Sequence, residues 1–153
     1  MKHLKIDVTT VERGIIIQGV NCMAVMGSGV ALSIRRKWPQ VFEPYTEVCL
    51  NYNKRGRALL GSVNFVEVEP DIIVANVFSQ EFYGSDGATY ACPIAINLGL
   101  TTVFELANEK NLPIYSVKIG CGLGGLNWER DVEPLFEVLE TQFPLVPIYV
   151  CEK

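Results

Sequence analysis

Two stretches of this 153-residue chain place glycine where side chains would otherwise stand: "QGVNCMAVMGSGVAL" (18–32) and "IGCGLGGLNWE" (119–129). The second holds Gly120, Gly122, Gly124 and Gly125, although glycine loses more backbone freedom on folding than any other residue. A tight strand-to-helix turn would explain them. So would a ligand whose phosphates need bare backbone N–H groups beside the positive end of a helix dipole. Two such loops on neighbouring strands would suit a diphosphate. Neither loop is a Walker A motif, because G-x-x-x-x-G-K-[ST] is absent. Gly27 and Gly29 begin a G-x-G, but Leu32 stands where a dinucleotide fingerprint needs its third glycine.

The polar residues around these loops carry the remaining chemistry. The Asn21 amide can donate and accept at once, or Asn21 is a turn residue that tolerates the left-handed conformation. Gln18, on the strand before the loop, can hydrogen-bond but cannot shuttle a proton near neutral pH. Asp86, in "FYGSDG", is a carboxylate able to orient or deprotonate water for attack on a phosphoryl or acyl group; the competing reading is a turn aspartate before glycine. Gln80 and Tyr83 could line the same pocket, with Phe78 or Phe82 packing on a ring. Cys22 has no histidine to activate it and reads as a packed thiol.

Composition narrows the class. With 49% hydrophobic and 20% charged residues the chain is globular, and its length fits one domain, 1–153, with a substantial core. A net charge of −4, with no basic run longer than "IRRKW", argues against a general nucleic-acid backbone binder. Five widely spaced cysteines without C-x-x-C, and a single histidine, His3, speak against disulfides and against a metal site. No metal or cofactor is expected. No apolar run reaches membrane-spanning length and the N-terminus lacks a secretory core, so the expected location is cytoplasmic, with no membrane partner.

The elements that would position these residues alternate. Strands are expected at 3–8, 14–20 (buried on both faces), 59–69 and 71–79 around Pro70, 112–119 and 145–151. Helical spacing covers 28–38, breaks at Pro39 and resumes in "VFEPYTEVCLNY"; further helices are expected at 94–110, despite Gly99, and at 127–143 with Asn127 as N-cap. Residues 80–93 read as a loop. The fold class is α/β, a mixed and mostly parallel sheet covered on both faces.

Together, "KIDVTT", "VNCMAVMGSGVALSIRRKWP" and "IGCGLGGLNWE" resemble the macrodomain family from the first strand to the last. The resemblance implies the three-layer α/β/α macro fold and a site for ADP-ribose. It assigns Asp7, with Val8 beside it, to the adenine amino group, although Ile6 stands where the family has glycine. Gln18, Asn21, Met26, Gly27, Gly29 and Val30 would hold the distal ribose and one phosphate. Ile119, Gly120, Cys121, Gly122, Leu123, Gly124, Gly125 and Leu126 would close over the diphosphate, with Gln80 and Tyr83 at the ribose end.

The resemblance is strongest to the branch of ADP-ribose-1″-phosphate phosphatases and ADP-ribosyl hydrolases, with small stand-alone members in phage and bacteria. It implies hydrolysis of the terminal phosphate, with Asp86 as base and Asn21 as positioner. The alternatives are a non-catalytic ADP-ribose reader and a hydrolase that removes ADP-ribose from modified protein or nucleic acid. Three departures bear on the choice. Gln18 stands where the phosphatases have histidine. Residues 79–93 hold no lysine for an adduct mechanism, and Gly124 stands where lysine-adduct hydrolases have an acid.

Overall fold

The computed structural model describes residues 1–53 and 59–153, without the side chains of residues 52 and 53. Six strands form one sheet: β1 (Lys2–Leu4), β2 (Gly14–Asn21), β3 (Val63–Glu69), β4 (Ile72–Gln80), β5 (Ile114–Ser116) and β6 (Ile148–Cys151). Their order is β1-β6-β5-β2-β4-β3, and every neighbouring pair is parallel except β3 with β4. Among the described residues four α-helices cover it: α1 (Gly29–Lys37), α2 (Phe42–Asn53), α3 (Pro93–Lys110) and α4 (Glu133–Gln142).

The alternation of β2 explains the layering. Ile15 and Ile17 point into a core shared with Val77, Phe104 of α3 and Phe136 of α4. Ile16 points the other way, into a core with Val74, Phe78, Ile34 of α1 and Tyr45 of α2. A strand buried on both faces reads as a near-continuous apolar run, as "GIII" does before the buried Gln18. This is the expected three-layer α/β/α arrangement. Gly99 lies inside α3 because a Cβ there would come within 2.4 Å of Val77 Cγ1; the helix needs the missing side chain to lie close on the sheet. Among the described residues no helix is long and apolar enough to cross a membrane.

Five expected elements are shorter or different. The strand expected at 3–8 pairs only over Lys2–Leu4, because the Asp7 carboxylate accepts the Thr9 N–H at 2.9 Å and caps a 3-10 turn over Val8–Thr10. The strand expected at 59–69 begins at Val63, after a turn in which Ser62 N–H donates to the Leu59 carbonyl. The strands expected at 112–119 and 145–151 pair only as β5 and β6; Val117 lies beyond β5, in a tight turn where Ile119 N–H donates to its carbonyl. The helix expected at 127–143 starts as a π-helical turn over Trp128–Val132 before α4. Pro134 lacks the N–H that an α-helical ladder would need there. Asn127 caps this turn as expected, its side chain accepting the Arg130 N–H at 2.8 Å.

Candidate functional site

A cleft of about 780 Å³ crosses the carboxyl ends of β6, β5, β2 and β4, the end of an open α/β sheet at which ligands bind. Of the residues singled out in the sequence, its walls contain Gln18, Asn21, Gly27, Gly29, Val30, Gln80, Tyr83, Ile119, Gly120, Gly122, Leu123 and Gly124. Asp7, Val8, Met26, Asp86, Cys121, Gly125 and Leu126 lie outside its lining. Met26 is buried under the first loop, and Val8 belongs to the same core.

The first loop leaves β2 at Asn21, and that side chain shapes it. Asn21 Oδ1 accepts the N–H groups of Met23 (3.0 Å) and Val25 (3.3 Å), and Nδ2 donates to the Val25 carbonyl (2.9 Å). The buried Tyr45 hydroxyl lies 2.7 Å from the Asn21 carbonyl and 2.9 Å from its Oδ1. Most of the amide's capacity is therefore used inside the protein. Burial pushes the Tyr45 phenol far up, so it stays a donor. Burial likewise pushes the Cys22 thiol up to about 11, and its Sγ donates to the Gln80 carbonyl; it is a packed thiol, not a nucleophile. Ala24 is held at φ 63°, left-handed for a residue with a Cβ. The loop ends at Ser28, whose side chain makes no capping bond. The first-turn N–H groups of α1, at Gly29, Val30 and Ala31, thus lie open at the cleft wall.

The second loop answers the question its glycines raise. Gly120 (φ 77°) and Gly125 (φ 84°) are left-handed. A Cβ on Gly124 would sit 2.6 Å from the Gly120 carbonyl oxygen, and one on Gly125 would sit 3.0 Å from Thr89 Cα. The Gly124 carbonyl accepts the N–H groups of both Tyr90 (2.9 Å) and Ala91 (3.0 Å). Three of the four glycines thus permit the turn and seat the 80–91 loop against it. Only Gly122 faces open space. Among the described residues the N–H groups of Gly120, Gly122, Leu123 and Gly124 meet no protein acceptor. Cys121 turns its Sγ to the Ile119 carbonyl, and burial raises its thiol to about 11. Leu126 packs on the core.

Polar side chains line the floor and the ends. Gln18 Nε2 donates to Asn76 Oδ1 (2.7 Å), and Asn76 Nδ2 donates to Asn64 Oδ1 (3.1 Å), a ladder of amides across β2, β4 and β3. Among the described residues, Gln18 Oε1 and the Ser79 hydroxyl are buried without a protein partner. Lys118, in the turn that follows β5, pairs across to Glu152, just after β6, and beyond them Lys153 lies 3.4 Å from Asp7 Oδ2. The Thr9 N–H and hydroxyl hold the Asp7 carboxyl below the usual range. At the β4 end, Asp86 Oδ1 accepts the Ala88 N–H (3.1 Å) and the Tyr90 hydroxyl (2.8 Å). These bonds hold its carboxyl below the usual range, while its neighbour Ser85 lines the cleft.

Tyr45, Ser79, Lys118, Glu152 and Lys153 were not singled out in the sequence. Tyr45 sits in a helix 24 residues from the loop it braces, and no spacing rule connects them. The lysine before the glycine loop could have been found from its position next to a glycine-rich turn.

No family model matches the chain. The DNA ADP-ribosyl glycohydrolases of Mycobacterium tuberculosis and Mycobacterium bovis are each 30% identical to it over 132 residues, 83% of this chain and 35% of theirs. The chain thus spans about a third of the length of these curated relatives. Among solved structures, the macrodomain of Mycobacterium tuberculosis DarG superposes with a TM-score of 0.82 at 26% identity, covering 99% of this chain and 97% of that one. A macrodomain protein from Streptomyces coelicolor gives 0.82 at 28% identity, covering 99% and 98%. Thermosipho africanus DarTG in complex with ADP-ribose gives 0.71 at 20% identity over 92% of this chain and 38% of that one, a likeness of fold.

Proposed function

The chain belongs to the macrodomain family, and on that premise we propose that it binds ADP-ribose across the cleft and hydrolyses the bond to the anomeric carbon of the distal ribose. One observation carries the binding. Unpaired N–H groups of Gly29, Val30 and Ala31 and of Gly120, Gly122, Leu123 and Gly124 come from two facing loops into one cleft, and donors so placed suit a diphosphate. The adenosine then lies toward β6 and Asp7, and the distal ribose toward Asn21, Gln80 and Tyr83.

Hydrolysis is supported by the glycohydrolase relatives. Water adds its hydroxide to C1″, the bond to the carried group breaks, and that group leaves with a proton. The substrate is ADP-ribose attached to nucleic acid, as in the relatives' name, or to protein. An amine adduct has little support, because the Glu152 carboxylate raises the Lys118 pKa and keeps that cleft lysine a cation, whereas a nucleophilic lysine needs the opposite shift. The second reading is dephosphorylation of ADP-ribose-1″-phosphate, favoured by the carboxylate of Asp86 beside Ser85 of the cleft wall.

Calorimetric titration with ADP-ribose, beside AMP and ribose-5-phosphate, tests the site; micromolar binding of ADP-ribose alone is expected. Incubation with an ADP-ribosylated single-stranded oligonucleotide and with ADP-ribose-1″-phosphate then separates the two readings by whether ADP-ribose or inorganic phosphate appears. Tight binding with neither product over hours would make the protein a reader. No binding at millimolar ligand would overturn the assignment.

A further inference from the structure

We propose that Lys118 is a side-chain cation of the diphosphate site, held by Glu152 while the cleft is empty and transferred to the ligand when phosphates arrive; this rests on the ADP-ribose reading. Lys118 and Glu152 both line the cleft and are ion-paired with each other. Lys118 stands directly before Ile119 and Gly120, and its carbonyl accepts the Cys121 N–H at 3.1 Å. Its backbone is thus pinned to the first turn of the loop that presents bare N–H groups, while its side chain remains 34% exposed.

The ammonium lies 5.8 Å from the Trp128 ring, and Glu152 is itself held at the strand end by its N–H donating to the Leu4 carbonyl at 2.8 Å. Both partners sit on anchored backbone with partly exposed side chains. The Glu152 carboxylate, 45% exposed, is a weak competitor, since an exposed ion pair contributes little to stability. A diphosphate offers two negative charges flanked by the loop's own donors, so exchange of partners is favourable. The arrangement also has a cost: Glu152 keeps a negative charge beside an anion site, and its removal must strengthen binding.

The test is ADP-ribose titration of the wild type, Lys118→Met, Lys118→Arg and Glu152→Gln at low and high salt, each variant first checked for an unchanged thermal midpoint. Lys118→Met is expected to weaken binding about 10-fold, the size of one charge-assisted hydrogen bond, and to flatten the salt dependence. Lys118→Arg should retain most of both. Glu152→Gln should tighten binding several-fold at low salt. Binding within twofold of wild type in Lys118→Met, or weaker binding in Glu152→Gln, overturns the proposal and leaves the ADP-ribose reading standing. A wild type that ignores millimolar ADP-ribose overturns both.

Discussion

Tyr45 and Asp86 illustrate how single residues act through their partners. The Tyr45 hydroxyl braces both the carbonyl and the side chain of Asn21 from inside the helical layer, so Tyr45→Phe leaves buried acceptors without their donor. That substitution is expected to cost about 1–2 kcal/mol in denaturant unfolding and to weaken ADP-ribose binding through the first loop. Unchanged affinity would mean that the loop keeps its shape without the brace. Asp86 can serve as a base or as an organiser of its loop. Its depressed pKa, caused first by the Ala88 N–H and then by the Tyr90 hydroxyl, makes it a weak base. A comparison of turnover separates the roles. If Asp86 organises the loop, Asp86→Ala and Tyr90→Phe lower the rate alike; if it is the base, only Asp86→Ala abolishes it.

The element that matters most is the pair of loops at 80–91 and 119–126, which behave as one piece. Two N–H groups of one meet one carbonyl of the other, and Gly124 and Gly125 let the backbones touch. Gly124→Ala drives a Cβ into the Gly120 carbonyl oxygen, so the second loop must shift and carry the 80–91 loop with it. Affinity for ADP-ribose is expected to fall more than 10-fold, against a small effect for Gly122→Ala, whose Cβ meets only open space in the free protein. Equal effects at the two positions, measured by titration, would show that the ligand and not the loop packing requires the glycines. The first loop is built differently. It hangs on one asparagine and tolerates a left-handed Ala24, a conformation that costs on the order of 1–3 kcal/mol in a residue with a Cβ.

On the scale of the whole molecule, the cleft joins the ends of four strands from one sheet, so ligand binding and global stability are coupled. ADP-ribose at about 100 times its dissociation constant should stabilise the folded state by about 2.7 kcal/mol, raising the thermal midpoint by roughly 5–10 °C for a chain of this size; no shift at that saturation would place the ligand elsewhere or nowhere. Much of this organisation was legible in the chain. The continuous apolar run of β2, the helical spacings of α1 and α3, and the glycine loops at strand ends are local patterns, and local patterns follow from side-chain periodicity and backbone freedom. They determined the layers, the fold class and the end of the sheet where the cleft opens. They did not determine the partners. Asn21, Asp86 and Asp7 each had the right type for ligand chemistry, yet each already bonds to its own loop, because hydrogen-bonding capacity is shared with whatever the folded chain brings near. The same applies to Gly120, Gly124 and Gly125, which turn out to seat one loop on another. Lys118 beside Glu152 and Tyr45 beneath Asn21 join residues far apart in sequence; the three-dimensional packing alone decided those contacts, since only a folded sheet brings its distant strand ends and helices within reach of each other.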